Sequence, residues 1–174
     1  MQQDMTIRDL KGRELKGGED AALWALLEPV FRAGDTYAID PDISREAALA
    51  YWCGPGRKVS MVEIDGAVVG SYYLVRNQGG GGAHVCNCGF VTGQAARGKG
   101  VARAMLDHAL GAAAGAGFRA MQFNFVVSTN SRAVDIWQRA GFEIVGRLPG
   151  AFLHPAQGYV DALVMYRRLD GITG

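Results

Sequence analysis

An α/β fold built on a mixed sheet is the class this 174-residue sequence predicts. Three observations carry the prediction. Two β-rich runs, Lys58 to Ile64 and Ala67 to Val75, flank an Asp65-Gly66 turn, a strong hairpin signal. An apolar strand-like stretch from Ala83 to Val91 leads through a glycine-bearing loop into an apolar-periodic helix from Val101 to Ala114. A further strand and helix follow before two closing strands. Strand–helix–strand alternation in the middle implies parallel pairing there, and the flanking hairpins imply antiparallel edges.

Taken in order, a short strand is expected near Met5–Leu10 within a polar, loosely held segment 1–17. Leu23, Leu26, Leu27 and Val30 recur at helical spacing from Glu19 to Phe31, and Pro29 should disturb the last turn. Ser44 opens a second helix to Trp52 as its N-cap. The glycine-rich run Asn77–Gly82 reads as a flexible connection. Gly115 and Gly117 stop the helix that begins at Val101. Arg119 to Val127 is rich in β-formers. Asn130 caps a short helix that ends before Gly141. Glu143 to Leu148 and Tyr159 to Arg167 close the chain as strands. The whole chain, 1–174, reads as a single domain.

Composition excludes several function classes. A net charge of +1 gives no global drive toward nucleic acid or an anionic membrane, so any basic patch must be local. No apolar run reaches the length of a membrane span, and the N-terminus, with Asp4, Arg8, Asp9 and Lys11, lacks the apolar core of a signal peptide. The odd set Cys53, Cys86 and Cys88 argues against a disulfide framework, and no His/Cys cluster completes a metal site. Free thiols and a cytoplasmic location are the expectation.

The loop Gln94 to Ala102 carries the chemistry. A glycine-bearing turn between a strand and a helix start aims free backbone N–H groups at one point, where the helix dipole adds partial positive charge. Gly98 and Gly100 leave no Cβ in the way of an anion. Arg97, Lys99 and Arg103 add whole charges. A phosphate-bearing ligand is expected, the alternative being a glycine-rich turn that holds none. A Walker loop is excluded by the glycine spacing and the missing Lys-Ser/Thr ending. A dinucleotide fingerprint is excluded by Arg103 at the third glycine position and by the absence of an acid near residue 120.

This order of elements resembles the GCN5-related N-acetyltransferase (GNAT) family. Arg97, Gly100 and Ala102 match the family's Gln/Arg-x-x-Gly-x-Gly/Ala signature, and Asn130, Ala133, Trp137, Gly141 and Phe142 match a second element at the right distance. The resemblance covers about residues 55–168, with the cofactor core at about 83–142. It implies a single-domain fold whose mixed, mostly antiparallel twisted sheet has about seven strands and a central parallel splayed pair, with helices on both faces. It implies acetyl-CoA as co-substrate, no metal, and direct transfer of the acetyl group to an amine. Backbone amides from Arg97 through Gly98, Lys99, Gly100 and Val101 to Ala102 would hold the pyrophosphate. Backbone groups of Phe90 and Val91 would pair with the pantetheine arm, the Val91 N–H would polarise the thioester carbonyl, and Asn130, Ala133 and Trp137 would line the other wall. Homodimerisation is common in the family.

Two departures stand out. Trp137 occupies the position where the family commonly has a Tyr that protonates the leaving thiolate, and an indole N–H can donate a hydrogen bond but not a proton. A Trp at this helical spacing is also an ordinary core aromatic. Neither the strand at 83–91 nor that at 119–127 carries the carboxylate that many members use as a base. Asn87 and Asn124 stand there instead, and alternation groups Val85, Asn87, Gly89 and Val91 on one face, and Ala120, Gln122, Asn124 and Val126 on another. Asn is unfavourable in strands and costly to bury unpaired. The pair is expected either to hydrogen-bond the reacting centre or to be satisfied by backbone.

The pieces His84-Val-Cys-Asn87, Phe123 to Asn130 and Val160-Asp161-Ala resemble a subgroup that includes the fungal enzyme acetylating proline analogues such as azetidine-2-carboxylate. There the matching asparagines are the catalytic candidates, which implies a small amino-acid-like acceptor. His154, Tyr159 and Asp161 lie where this fold often builds its acceptor pocket. His84 and His108 are expected to be structural and on the surface respectively. Two rivals remain: a non-catalytic acyl-CoA sensor, and an enzyme acting on protein N-termini or lysines.

Overall fold

The computed structural model describes residues 4–10, 15 and 17–172. For residues 1–3, 11–14 and 16, the expectation of a loosely held start lies outside the described residues. The elements run β1 (Met5–Asp9), α1 (Glu19–Ala33), α2 (Arg45–Trp52), β2 (Lys58–Ile64), β3 (Ala67–Arg76), β4 (Val85–Thr92), α3 (Val101–Gly115), β5 (Ala120–Val127), α4 (Ser131–Arg139), β6 (Glu143–His154) and β7 (Gly158–Arg168). They form one seven-stranded sheet in the order β1-β2-β3-β4-β5-β7-β6, antiparallel except for β4 and β5. No helix among the described residues is long and apolar enough to cross a membrane.

Each sheet face is closed by its own pair of helices. On one face Leu23, Leu26, Leu27 and Phe31 of α1 and Ala48 and Trp52 of α2 pack on Val59, Tyr73 and Val91. On the other, Val101, Met105, Leu106, Ala109 and Leu110 of α3 and Trp137 of α4 pack on Tyr72, Leu74, Cys86, Cys88, Met121 and Phe123. The helical periodicity read from the sequence is this apolar stripe, and burial of each large side chain in it stabilises the fold by about 1.5–3 kcal/mol. The expected caps are present: Ser44 Oγ accepts from Ala47 N at 3.1 Å, and Asn130 Oδ1 from Ala133 N at 3.4 Å.

The structure differs from expectation at four places. α1 passes through Pro29 and ends at Ala33, because the buried stripe on its inner side holds the helix while Ala25 and Pro29, where the ladder is interrupted, lie on its open side. β6 runs on to His154 through Pro149. It is an edge strand, and the register shift between Leu148 and Phe152 absorbs the proline. Asn77–Gly82 is an ordered turn: Gly80–Gly82 is a 3-10 turn and Asn77 N donates to Val85 O at 2.9 Å. In β5 a register shift between Phe123 and Val126 moves Val126 to the α3 side, away from Asn124, because one extra residue flips every later side chain.

The gap that dominates the molecule lies in the middle of the sheet. β4 and β5 pair only at Val85↔Ala120 and Cys86↔Met121, then part. Beyond that point the β4 wall is shaped by a close approach. A Cβ at Gly89 would stand 2.4 Å from Tyr73 Cε1, so the Tyr73 ring lies directly on the Gly89 backbone. That ring is wedged against Trp52, with centroids 4.9 Å apart, and cannot yield. Gly89→Ala is therefore expected to destabilise the fold by about 1–3 kcal/mol, read as a lower denaturant midpoint at unchanged slope.

Candidate active site

A cleft of about 1280 Å³ opens where β4 and β5 part. Its walls come from α1 and the segment after it, from β3, β4 and β5, from the loop before α3, and from α4. Asn87, Phe90, Val91, Arg97, Gly98, Gly100, Val101, Ala102, Asn124, Asn130, Ala133 and Trp137 all line it. Lys99 is exposed but does not line the cleft.

At one mouth the chain turns twice through left-handed glycines, Gly98 (φ 82°) and Gly100 (φ 79°), before α3 begins. The turn bonds Arg97 N→Gln94 O and Lys99 N→Ala96 O, both 3.2 Å, use two of the amides expected to be free. Gly98, Gly100, Val101, Ala102 and Arg103 N–H have no backbone acceptor in the loop or first turn; the first helical bond is Ala104 N→Gly100 O at 3.0 Å. These donors, with Arg97 and Arg103 on the same wall, fit a diphosphate. A Cβ at Gly98 or Gly100 would meet open space, so positive φ rather than crowding demands glycine there.

Inside the gap the asparagines divide the work. Asn87 Nδ2 donates to Gln122 O at 2.9 Å, bridging the strands one residue past their last backbone pair. The backbone-satisfied reading is thus correct for that donor, and the side chain sets where the sheet opens. Asn124 belongs to a carboxamide row: Gln122 Nε2 donates to Asn124 Oδ1 at 2.9 Å, and Asn124 Nδ2 to Asn77 Oδ1 at 2.7 Å. Both asparagines lie on the α1–α2 side of the sheet, whereas Cys86 and Cys88 join the α3-side cluster. Cys88 also borders the cleft. Burial pushes the Cys86 thiol up to about 12 and raises Cys88 as well, so neither is a ready thiolate.

Trp137 is 8% exposed and packs on Phe90 and Phe123 with centroids 5.1 and 5.0 Å apart. It is at once a core aromatic and part of the cleft wall. Tyr37, which sequence reasoning passed over, donates its hydroxyl to Phe90 O at 2.9 Å from the segment after α1. Sequence reasoning also gave no role to Asn77, masked by a glycine-rich neighbourhood, or to Arg57, whereas Gln122 lies on the face with Asn124 as alternation expects. Asp35 is the carboxylate of the cleft wall among the described residues, against Arg57, Arg76, Arg97, Arg103 and Arg132.

Of the three residues expected near an acceptor pocket, only His154 lines the cleft. Its Nδ1 accepts from Ala156 N and Gln157 N at 3.1 and 3.2 Å and so caps the β6–β7 turn. Tyr159 is 77% exposed, and Asp161 is held by Gly150 N and Arg147, both at 2.9 Å. The Gly150 amide first, then Arg147, lowers the Asp161 carboxyl below its ordinary value. His84 lies in the turn before β4, where its carbonyl accepts from Arg119 N at 2.8 Å. His108 is exposed as expected, yet its Nδ1 meets the buried Tyr72 hydroxyl at 2.7 Å.

Comparison with known proteins agrees with this geometry. The model of the acetyltransferase (GNAT) family matches residues 21–142. The N-acetyltransferase aca1 of Schizosaccharomyces pombe is 29% identical over 148 residues, 75% of this chain and 71% of that protein. A GCN5-related N-acetyltransferase from Kribbella flavida superposes with a TM-score of 0.86 at 39% identity, over 94% of this chain and 97% of that one. The yncA protein of Salmonella typhimurium, solved with acetyl-CoA, superposes with a TM-score of 0.80 at 20% identity, over 96% of this chain and 95% of its own. A splayed parallel pair, a glycine turn with free amides at its mouth and a family model spanning both place this chain in the GNAT family of acetyltransferases.

Proposed function

We propose that this protein transfers the acetyl group of acetyl-CoA directly to the amine of a small amino-acid-like acceptor, in the cytoplasm. The observation that carries the reading is the gap between β4 and β5, with unpartnered amides at its mouth and carboxamides on its wall. The free thiols Cys53, Cys86 and Cys88 suit a reducing compartment. The acceptor class rests on the subgroup resemblance around Asn87 and Asn124.

Acetyl-CoA supplies the activated thioester. The chain holds its diphosphate through Gly98, Gly100, Val101, Ala102 and Arg103 N–H, with Arg97 beside them. Exposed Lys99 adds long-range positive charge at the same mouth. Phe90 and Val91 on one wall and Asn130, Ala133 and Trp137 on the other line the path of the arm. The resemblance assigns the Val91 amide to the carbonyl that gains charge. The β3–β4 register, however, turns Val91 N–H toward Ser71, so the amide facing the gap, and the donor assigned here, is that of Phe90. Asn87 Oδ1 and the Asn124 carboxamide orient the incoming amine, neither one titrating. The indole N–H of Trp137 has no hydrogen-bond partner among the described residues, which leaves it able to donate to a departing sulfur without giving up a proton.

Two substitutions separate the parts. Gly100→Asp places a carboxylate at the cradle in a left-handed position, and calorimetry is expected to show loss of coenzyme A binding by a protein whose circular dichroism is unchanged. Asn124→Ala removes the centre of an exposed row. Thiol release on an amino-acid panel should fall roughly 100-fold while coenzyme A affinity stays within about threefold. Wild-type protein that binds coenzyme A but releases no thiol with any amine in that panel would instead identify a sensor or an enzyme for peptide amines.

A further inference from the structure

Arg57 is a cleft cation without an acidic partner among the described residues and, unlike Arg76, Arg97 and Arg132, is stacked between two aromatic rings. It lies just before β2, half-buried, with Nη1 donating to Tyr51 O at 2.5 Å. Its guanidinium is stacked 4.2 Å from the Tyr51 ring centroid and 4.0 Å from that of Tyr73. No carboxylate among the described residues pairs with it, although Arg8, Arg32, Arg45, Arg103, Arg139, Arg147 and Arg168 each have an acidic partner. Asp35 borders the same cleft without forming an ion pair with it. Most of the guanidinium's donor fork therefore has no protein acceptor. A half-buried cation without a counter-ion is unfavourable unless something else completes it, and the two rings offset only part of that cost.

Its position sets what that something is. Tyr73 lies on Gly89, and Asn87 is the next residue on the same face of β4, about 7 Å along the strand. The guanidinium, held on the Tyr73 ring, lines the same cleft as the carboxamides assigned to the amine. Burial pushes the Tyr73 hydroxyl above its ordinary value and keeps it a neutral donor; the Tyr51 hydroxyl stands 3.5 Å away. A planar fork flanked by hydroxyls matches a carboxylate.

We propose that Arg57, held between Tyr51 and Tyr73, is the subsite for the acceptor's α-carboxylate and determines specificity for free amino acids over esters, amides and simple amines. The inference rests on the acceptor class proposed above and adds the group that reads it. In the wild type, kcat/KM for a free L-amino acid or azetidine-2-carboxylate should exceed that for its methyl ester by about 10- to 100-fold. Arg57→Gln should collapse that ratio toward one, through KM rather than kcat, with coenzyme A affinity retained. Arg57→Lys should restore part of it, since charge returns without the fork.

Equal turnover of acid and ester by the wild type overturns the proposal without any variant. So does an Arg57→Gln protein that loses both substrates in proportion, the mark of a brace for the tyrosines. If the wild type acetylates no amino acid, the proposed reaction fails, and the subsite is read by calorimetry of the same amino acids on coenzyme A-loaded protein. Binding that disappears in Arg57→Gln sustains the subsite; no binding to wild type ends it.

Discussion

The parting of β4 and β5 is the constraint on which the rest depends. A parallel pair that stops after Cys86↔Met121 leaves strand backbone in the centre of a sheet without partners, in a place where unmade hydrogen bonds are costly. Asn87 takes the Gln122 carbonyl and Tyr37 takes that of Phe90. Each bond limits the cost of the opening while leaving it open. The aromatic packing behind the gap serves the same end. Phe90, Phe123 and Trp137 form one contiguous cluster, and Tyr72 stacks on Phe90 with centroids 5.7 Å apart, so the walls cannot collapse together.

Charge is distributed by the same logic. A chain with net charge +1 gathers Arg57, Arg76, Arg97, Arg103 and Arg132 along one cleft against Asp35. The surface elsewhere is compensated by ion pairs such as Lys58–Asp9 and Arg8–Glu63. Those pairs are exposed and individually contribute little to stability. Their consequence is the contrast between a balanced exterior and a cationic groove, which attracts an anionic ligand. At the mouth, main-chain amides add fixed partial charge that side-chain motion cannot withdraw.

Features encoded by local chemistry were legible in the sequence. The Asp65-Gly66 hairpin, the caps at Ser44 and Asn130, the glycine turn before α3 and the placement of Asn87 opposite Cys86 and Cys88 depend on neighbours a few positions away. What escaped depends on partners far along the chain. Pro29 was expected to disturb the last turn, but Leu23, Leu26, Leu27 and Phe31 hold the helix through it to Ala33. Strict alternation put Val126 beside Asn124, and only the β5–β7 register reveals the extra residue. Tyr37 and Arg57 flank glycines, prolines or polar residues that read as connection. Their roles appear only once β4 and Tyr73 lie beneath them. The carboxamide row spans Asn77 and Asn124, which no local pattern can join.

The replacement of carboxylates by carboxamides in the gap has a chemical rationale. A carboxylate beside an acceptor amine can remove its proton, but it also stabilises the ammonium and raises its pKa, favouring the unreactive form. A carboxamide orients the nitrogen without that bias. The neighbouring cations act in the opposite sense, since a like charge disfavours protonation. The tyrosines contribute as neutral groups: burial raises the Tyr37 and Tyr73 hydroxyls, so neither adds a phenolate that would reverse the field. Under the proposed reaction, a cleft of this composition favours the neutral amine because its surroundings disfavour the ammonium charge, and Arg57 is the group assigned to the other end of the acceptor.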